Sequence, residues 1–182
     1  DSVYHADCGG ATSSATSVWG GPAPPYLDGI VDEFCQTLNR PPWTLSIGRE
    51  AFRDALNADS RTAVGQNLHD VMIMRRDNAG RALTIQLRGS NELTVTGTTL
   101  RSVLGIRFGF TRIQSTKLKI QKRNDYFLIT GTGFGHGAGL CQTGAMARAE
   151  ADHQTKQIIA AYYPGTTLEN FHRLPIQTQA RR

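Results

Sequence analysis

Two segments hold most of the residues able to do chemistry. In Gly131-Thr132-Gly133-Phe134-Gly135-His136-Gly137-Ala138-Gly139-Leu140-Cys141-Gln142-Thr143-Gly144-Ala145, glycines at 131, 133, 135, 137 and 139 frame a single histidine. A backbone without Cβ takes positive φ and lets a ligand approach closely, so His136 projects from nearly bare main chain. The loop runs straight into a helical pattern, whose first N–H groups form a candidate site for an anion or a carbonyl oxygen. It is not a P-loop, since no Gly-Lys-Ser/Thr follows, and no register fits G-x-G-x-x-G. The plainer alternative is a glycine-packed turn whose histidine bonds a backbone carbonyl. Each glycine costs up to about 1 kcal/mol in ordering relative to alanine, so five in nine residues imply a backbone shape other residues do not supply.

The second segment is Tyr4-His5-Ala6-Asp7-Cys8-Gly9-Gly10-Ala11-Thr12, followed by Trp19-Gly20-Gly21 and Pro25-Tyr26. Its loop-rich composition presents aromatic and polar groups at a surface. Cys8, Cys35 and Cys141 form no C-x-x-C pair, which excludes zinc-ribbon and thioredoxin readings. As buried thiols they act as small hydrophobes, and a Cys8–Cys35 disulfide is open in an oxidising compartment. Two further alternatives are a His136–Cys141 nucleophile pair and a zinc site drawn from His5, Cys8, His136 and Cys141. The pair has no orienting acid nearby, and the zinc set matches no closed structural motif and needs two distant segments to converge. Glycosidic cleavage needs a positioned acid, yet none of the fifteen acids stands in the glycine loop. Only Asp7 neighbours Cys8-Gly9-Gly10, and Asp28, Asp32, Glu33, Glu50, Asp54 and Asp152 read as solvated helix, turn or capping residues.

These segments must be held by an α+β framework. A strand is predicted over Trp43–Ile47, with Ser46 as a cap for the following helix. Leu68–Met74, Ala82–Leu87 and Leu93–Thr96 alternate apolar and polar residues across good turn formers, which predicts an antiparallel meander. Thr98–Leu104 reads as a short helix, and Lys117–Ile120 and Tyr126–Thr130 as strands. Helices follow over about Leu140–Ala151 and Thr155–Tyr162, the latter stopped by Pro164-Gly165. Antiparallel sheets with a few short helices, and long Gly-rich loops forming a cleft, are the expected architecture.

Composition narrows the setting. The chain has 182 residues, 39% of them hydrophobic, enough for a core and too apolar for a disordered tail. Its net charge of +5 and pI near 9.4 favour an anionic partner. A nucleic-acid reading is disfavoured: Lys117, Lys119, Lys122 and Arg123 form the only basic cluster, and it lacks interleaved aromatics. No apolar run approaches the ~20 residues of a membrane span. The chain opens on Asp1-Ser2-Val3 without Met or an apolar leader, as a fragment or a mature secreted protein would.

Three segments together resemble the SpoIID/LytB family of bacterial cell-wall proteins, the stage II sporulation protein D and amidase-enhancer domains. They are Tyr4 to Thr12 with Val18-Trp19-Gly20-Gly21 and Pro25-Tyr26-Leu27, the Gly133 to Ala145 segment, and Ile158-Ile159-Ala160-Ala161-Tyr162-Tyr163-Pro164-Gly165-Thr166-Thr167-Leu168. The resemblance implies action on peptidoglycan, since SpoIID members are lytic transglycosylases that cut glycan strands stripped of stem peptides. It implies a domain over 1–175, the larger C-terminal part of the family domain, with a flexible tail over 176–182. The family's catalytic glutamate and a zinc-ligand Cys/His cluster of some members lie in a segment upstream of this chain, so no catalytic residue, metal ligand or cofactor is carried over, and the chain alone is expected to be inactive. Substrate-binding roles fall to His136 and Gln142 at sugar hydroxyls, to Cys8, Gly9, Gly10 and Thr12 around N-acetyl groups, and to Trp19 or Tyr162 stacked on a ring. Tyr163 is expected in the core. Expected partners are glycan strands, with a cell-wall amidase as a second candidate, and no nucleic acid. The expected location is extracytoplasmic, any membrane anchor lying outside this chain. The alternative function is a non-catalytic wall-binding or amidase-stimulating module.

Overall fold

The computed structural model describes residues 2–169. The tail expected over 176–182 lies outside them. Two three-stranded antiparallel sheets form the framework. One is the meander of β3 (Leu68–Arg76), β4 (Ala82–Gly89) and β5 (Glu92–Thr96). In the other, β7 (Tyr126–Gly131) lies between β2 (Trp43–Gly48) and β6 (Leu118–Lys122). The meander, its turn at Asp77–Gly80 and the antiparallel architecture agree with the sequence reading. Gly80 supplies the turn's positive φ of 83° and donates to the Asp77 carbonyl at 3.0 Å.

Helices α3 (Arg49–Asn57) and α4 (Gly97–Phe108) close the main core with the sheets. Leu45 and Ile47 of β2, Phe52 and Leu56 of α3, Ile85 and Leu87 of β4, Leu100 and Leu104 of α4, and Phe127 and Ile129 of β7 are all buried in it. The Phe52 and Phe127 rings meet edge to face, 5.2 Å apart, a geometry favoured by the ring quadrupoles. Ser46 does not cap α3: it stays within β2, and Gly48 occupies the cap position without a side-chain bond. Helix α4 begins at the Thr96 cap, whose hydroxyl accepts from Thr99 N–H at 3.0 Å. It runs past the predicted end at Leu104 to Phe108, and the Phe110 ring packs where a Cβ on Gly105 would stand.

A smaller layer carries the two chemistry-bearing segments. Here β1 (Tyr4–His5) pairs in parallel with β8 (Leu140–Cys141), and main-chain bonds continue outward, Asp7 with Phe134 and Ser13 with Gly137. Three short helices in the first forty residues were not foreseen: α1 (Ala15–Trp19), α2 (Glu33–Thr37) and a 3-10 turn over Pro25–Leu27. The chain ends its described part with α5 (Gln142–Glu150) and α6 (Thr155–Tyr162). Cys8, Cys35, Cys141 and Tyr162 form a second, separate core between these helices and β8.

Candidate functional site

The glycine-rich loop is a spine with a cleft on either flank. Thr132, Gly133 and Phe134 line a cleft of about 300 Å³, with Gly9, Gln36, Asn39, Trp43 and Gln114. Gly135 and His136 line a second, of about 160 Å³, with Ser17, Arg81, Arg101 and Phe110. Arg101 lies over the Phe110 ring at 5.2 Å. Phe134 is 38% exposed.

The loop's shape is set by the chain's own groups. Gly133, Gly135, Gly137 and Gly139 all have positive φ. At Gly137 the reason is direct: a Cβ would fall within 3.0 Å of the Arg81 guanidinium. Arg81 is 2% exposed, and donates to the carbonyls of Gly135 at 3.1 Å and Cys8 at 3.4 Å. One buried cation thus ties the loop to the first segment. Sequence gave no sign of it, since Arg81 follows a hairpin turn, where arginine is normally solvated.

His136 has both ring nitrogens engaged. Nδ1 accepts from Ala138 N–H at 3.1 Å, so Nε2 carries the proton it gives to the Tyr4 carbonyl at 3.0 Å. Burial holds its pKa below the ordinary 6.5, partly opposed by that carbonyl. The neutral ring packs against Trp19, centroids 5.0 Å apart. What His136 offers outward is an apolar edge beside the 57%-exposed indole of Trp19. The loop N–H groups are also spent internally: Phe134 on Asp7, Gly135 on Gln114 and Thr143 on Ala6. The anion site expected at the start of the helix therefore has no free donors at these positions.

The other expected residues separate into two groups. Gly9 lines the larger cleft, its carbonyl held by Lys117 Nζ at 2.7 Å. Gln142 is exposed on the first turn of α5. Thr12 is buried, and its hydroxyl accepts from Ile30 N–H at 2.8 Å. Gly10 is buried with its carbonyl on Gln36. Cys8 and Tyr162 are interior residues of the second core, and the Tyr162 hydroxyl donates to Asp32 at 2.6 Å. Tyr163 packs against that core as expected.

Asp7 is the carboxylate that borders the larger cleft. Burial pushes its pKa up from 3.8, opposed by the Gly9 N–H at 2.7 Å, and Arg40 approaches at 3.6 Å. Asp32 corrects the reading of solvated acids. It does cap α2, but it is fully buried, paired with Arg148 at 3.5 Å. Neither His-containing alternative assembles: His5 Nδ1–H donates to the Ala138 carbonyl at 3.0 Å, and Cys141 Sγ accepts from Cys8 and Gly144 N–H. Burial lowers the His5 pKa to about 4. The three thiols are free.

Comparison with known proteins adds a family. The model of a domain of unknown function, DUF8618, matches residues 37–139, more than half of the chain. The chain belongs to the DUF8618 family. The DUF8618 match begins in α2 and takes in both sheets, Arg81 and the loop through Gly139, so both clefts lie partly inside it. Cys8, Asp32, Cys35, Cys141 and Tyr162 lie outside. An uncharacterized protein of Brachyspira hyodysenteriae is 29% identical over 176 residues, which is 94% of this chain and 44% of that protein. The amidase enhancer of Bacillus subtilis is 43% identical over 70 residues, 38% of this chain and 10% of that protein. The chain thus spans less than half the length of these relatives. No helix among the described residues is long and apolar enough to cross a membrane.

Proposed function

We propose that this chain is a SpoIID/LytB-like, extracytoplasmic cell-wall domain that binds peptidoglycan glycan strands along the glycine-rich loop. The observation that carries the reading is the lining of the larger cleft, where Trp43 and Phe134 stand among the amides of Gln36, Asn39 and Gln114. Apolar ring faces with a few convergent hydrogen-bonding groups suit a sugar carrying N-acetyl and hydroxyl substituents. Trp19 against His136 offers a further platform beside the smaller cleft. The resemblance makes the bound strand a lytic-transglycosylase substrate, with no catalytic acid assigned to a residue of this chain. The local identity to the amidase enhancer supports a wall setting and favours a second reading, a module that stimulates an amidase. Sedimentation with purified sacculi, before and after removal of stem peptides, tests the first. Retention should rise as peptides are removed; no retention on either form refutes it. An increase in amidase rate without glycan retention would favour the second.

A further inference from the structure

Three thiols and one carboxylate that the glycan reading leaves unused meet at one interior point. Cys8 follows β1, Asp32 and Cys35 sit three residues apart at the start of α2, and Cys141 joins β8 to α5. One ligand atom from each lies within 4.8 Å of all the others. Cys8, Asp32 and Cys141 are fully buried and Cys35 nearly so. A tetrahedral ion with Zn–S bonds of about 2.3 Å requires sulfurs about 3.8 Å apart. The cluster needs a contraction of about an ångström or less to meet this, and Cys8 Sγ is already 3.5 Å from Asp32 Oδ2.

The surrounding backbone is arranged for negative sulfur. Gly10 N–H donates to Cys8 Sγ at 3.3 Å, and Cys8 and Gly144 N–H donate to Cys141 Sγ at 3.2 and 3.4 Å. Thiols packed merely as small hydrophobes have no need of three such donors. The acid is oriented as a ligand carboxylate is, by Tyr162 and Arg148, and Arg148 is itself stacked over Phe34 at 4.4 Å. Three thiolates and a carboxylate exceed a divalent charge by two. Arg148 beside Asp32 and Arg81 at the Cys8 carbonyl offset the excess.

We propose that Cys8, Cys35 and Cys141, with Asp32 as fourth ligand, form a closed structural site for a zinc-class divalent ion. Soft thiolates select such an ion over calcium or magnesium, and four protein donors leave no open position for catalysis. The second core explains the need. Among the described residues its buried members are the three thiols themselves and Tyr162, against eighteen buried hydrophobics in the main core, too few apolar side chains to fix several short elements without a covalent or metal tie. The ion joins the first forty residues to β8 and α5, and so holds the Cys8-Gly9-Gly10 wall against the glycine loop.

The site does not depend on the glycan reading, and metal content and sacculus retention can fail separately. The full chain, purified without chelator or metal resin, should carry roughly one zinc per molecule by elemental mass spectrometry. Its three thiols should react only after unfolding with chelator. Cobalt added to the stripped protein should give the sulfur-to-metal charge-transfer and visible bands of a tetrahedral thiolate site. Cys35→Ser should lose at least most of the zinc; should that variant not fold, the cobalt spectrum of the unaltered chain decides. Less than about a tenth of an equivalent after zinc loading, an octahedral cobalt spectrum, or a Cys8–Cys35 disulfide in peptide maps would overturn the proposal.

Discussion

Replacing Gly137 by alanine should be among the most damaging single-methyl changes in this chain. Its φ of 88° is left-handed, and a side chain there costs roughly 1–2 kcal/mol. The new Cβ would also meet the Arg81 guanidinium within 3.0 Å. Arg81 cannot swing into solvent, being 2% exposed and bonded to the Gly135 and Cys8 carbonyls. Losing one hydrogen bond from a charged donor costs about 1.5–3 kcal/mol, which brings the total to about 2.5–5 kcal/mol. That is a large share of a typical stability of about 5–15 kcal/mol. Gly165 provides the control, since its φ is 78° but nothing lies within 4 Å of a Cβ there. Gly165→Ala should cost only the backbone part, about 1–2 kcal/mol. Urea denaturation of both variants measures the difference, and a double-mutant cycle locates it. In an Arg81→Ala background, Gly137→Ala should fall to the control's cost. Equal losses for Gly137→Ala and Gly165→Ala, or an unchanged loss without Arg81, would refute the reasoning.

Trp19→Ala should change stability by less than about 1 kcal/mol, because the ring is largely exposed. It should nonetheless reduce retention on stripped glycan severalfold in the sedimentation assay, and full retention would remove Trp19 from the binding surface. Tyr162→Phe removes the donor to a buried carboxylate; urea midpoints should show a loss of about 1.5–3 kcal/mol, and a change below about 0.5 kcal/mol would contradict it. Burial depresses the His136 pKa below 6.5. As pH falls through 6.5 the unfolded chain therefore takes up the proton first, so this residue's contribution to stability is full above that pH and is lost on acidification. An NMR titration of its imidazole should give a midpoint below 6.5, and a midpoint at or above it would reverse the sign.

The framework was legible because alternation and turn residues are local signals. The meander, β2, β6, β7 and α6 follow from them within a few residues. The glycine loop was legible as a constrained backbone, but its cause was not. Its neighbours are Arg81 and the first ten residues, brought there by pairings more than 50 and 100 positions long, such as Arg81 with Gly135 and Tyr4 with Leu140. Asp32 shows the same limit. Its sequence context is that of a helix cap, which it is, while its burial depends on Arg148 and Tyr162 from two later helices. The Asp-x-x-Cys spacing at 32–35 was the available clue to the thiol cluster, and only the fold brings Cys8 and Cys141 to it.

The claim of a glycan-binding cleft is tested most directly by Phe134, a partly exposed ring in its wall. Retention of the unaltered chain and of Phe134→Ala on stem-peptide-free glycan strands should be compared at low and high salt. The cleft predicts that the unaltered chain stays bound at high salt while Phe134→Ala is released at both. Loss of both proteins at high salt, with equal retention at low salt, would mean that the +5 charge alone holds the chain to the wall, and would contradict the cleft.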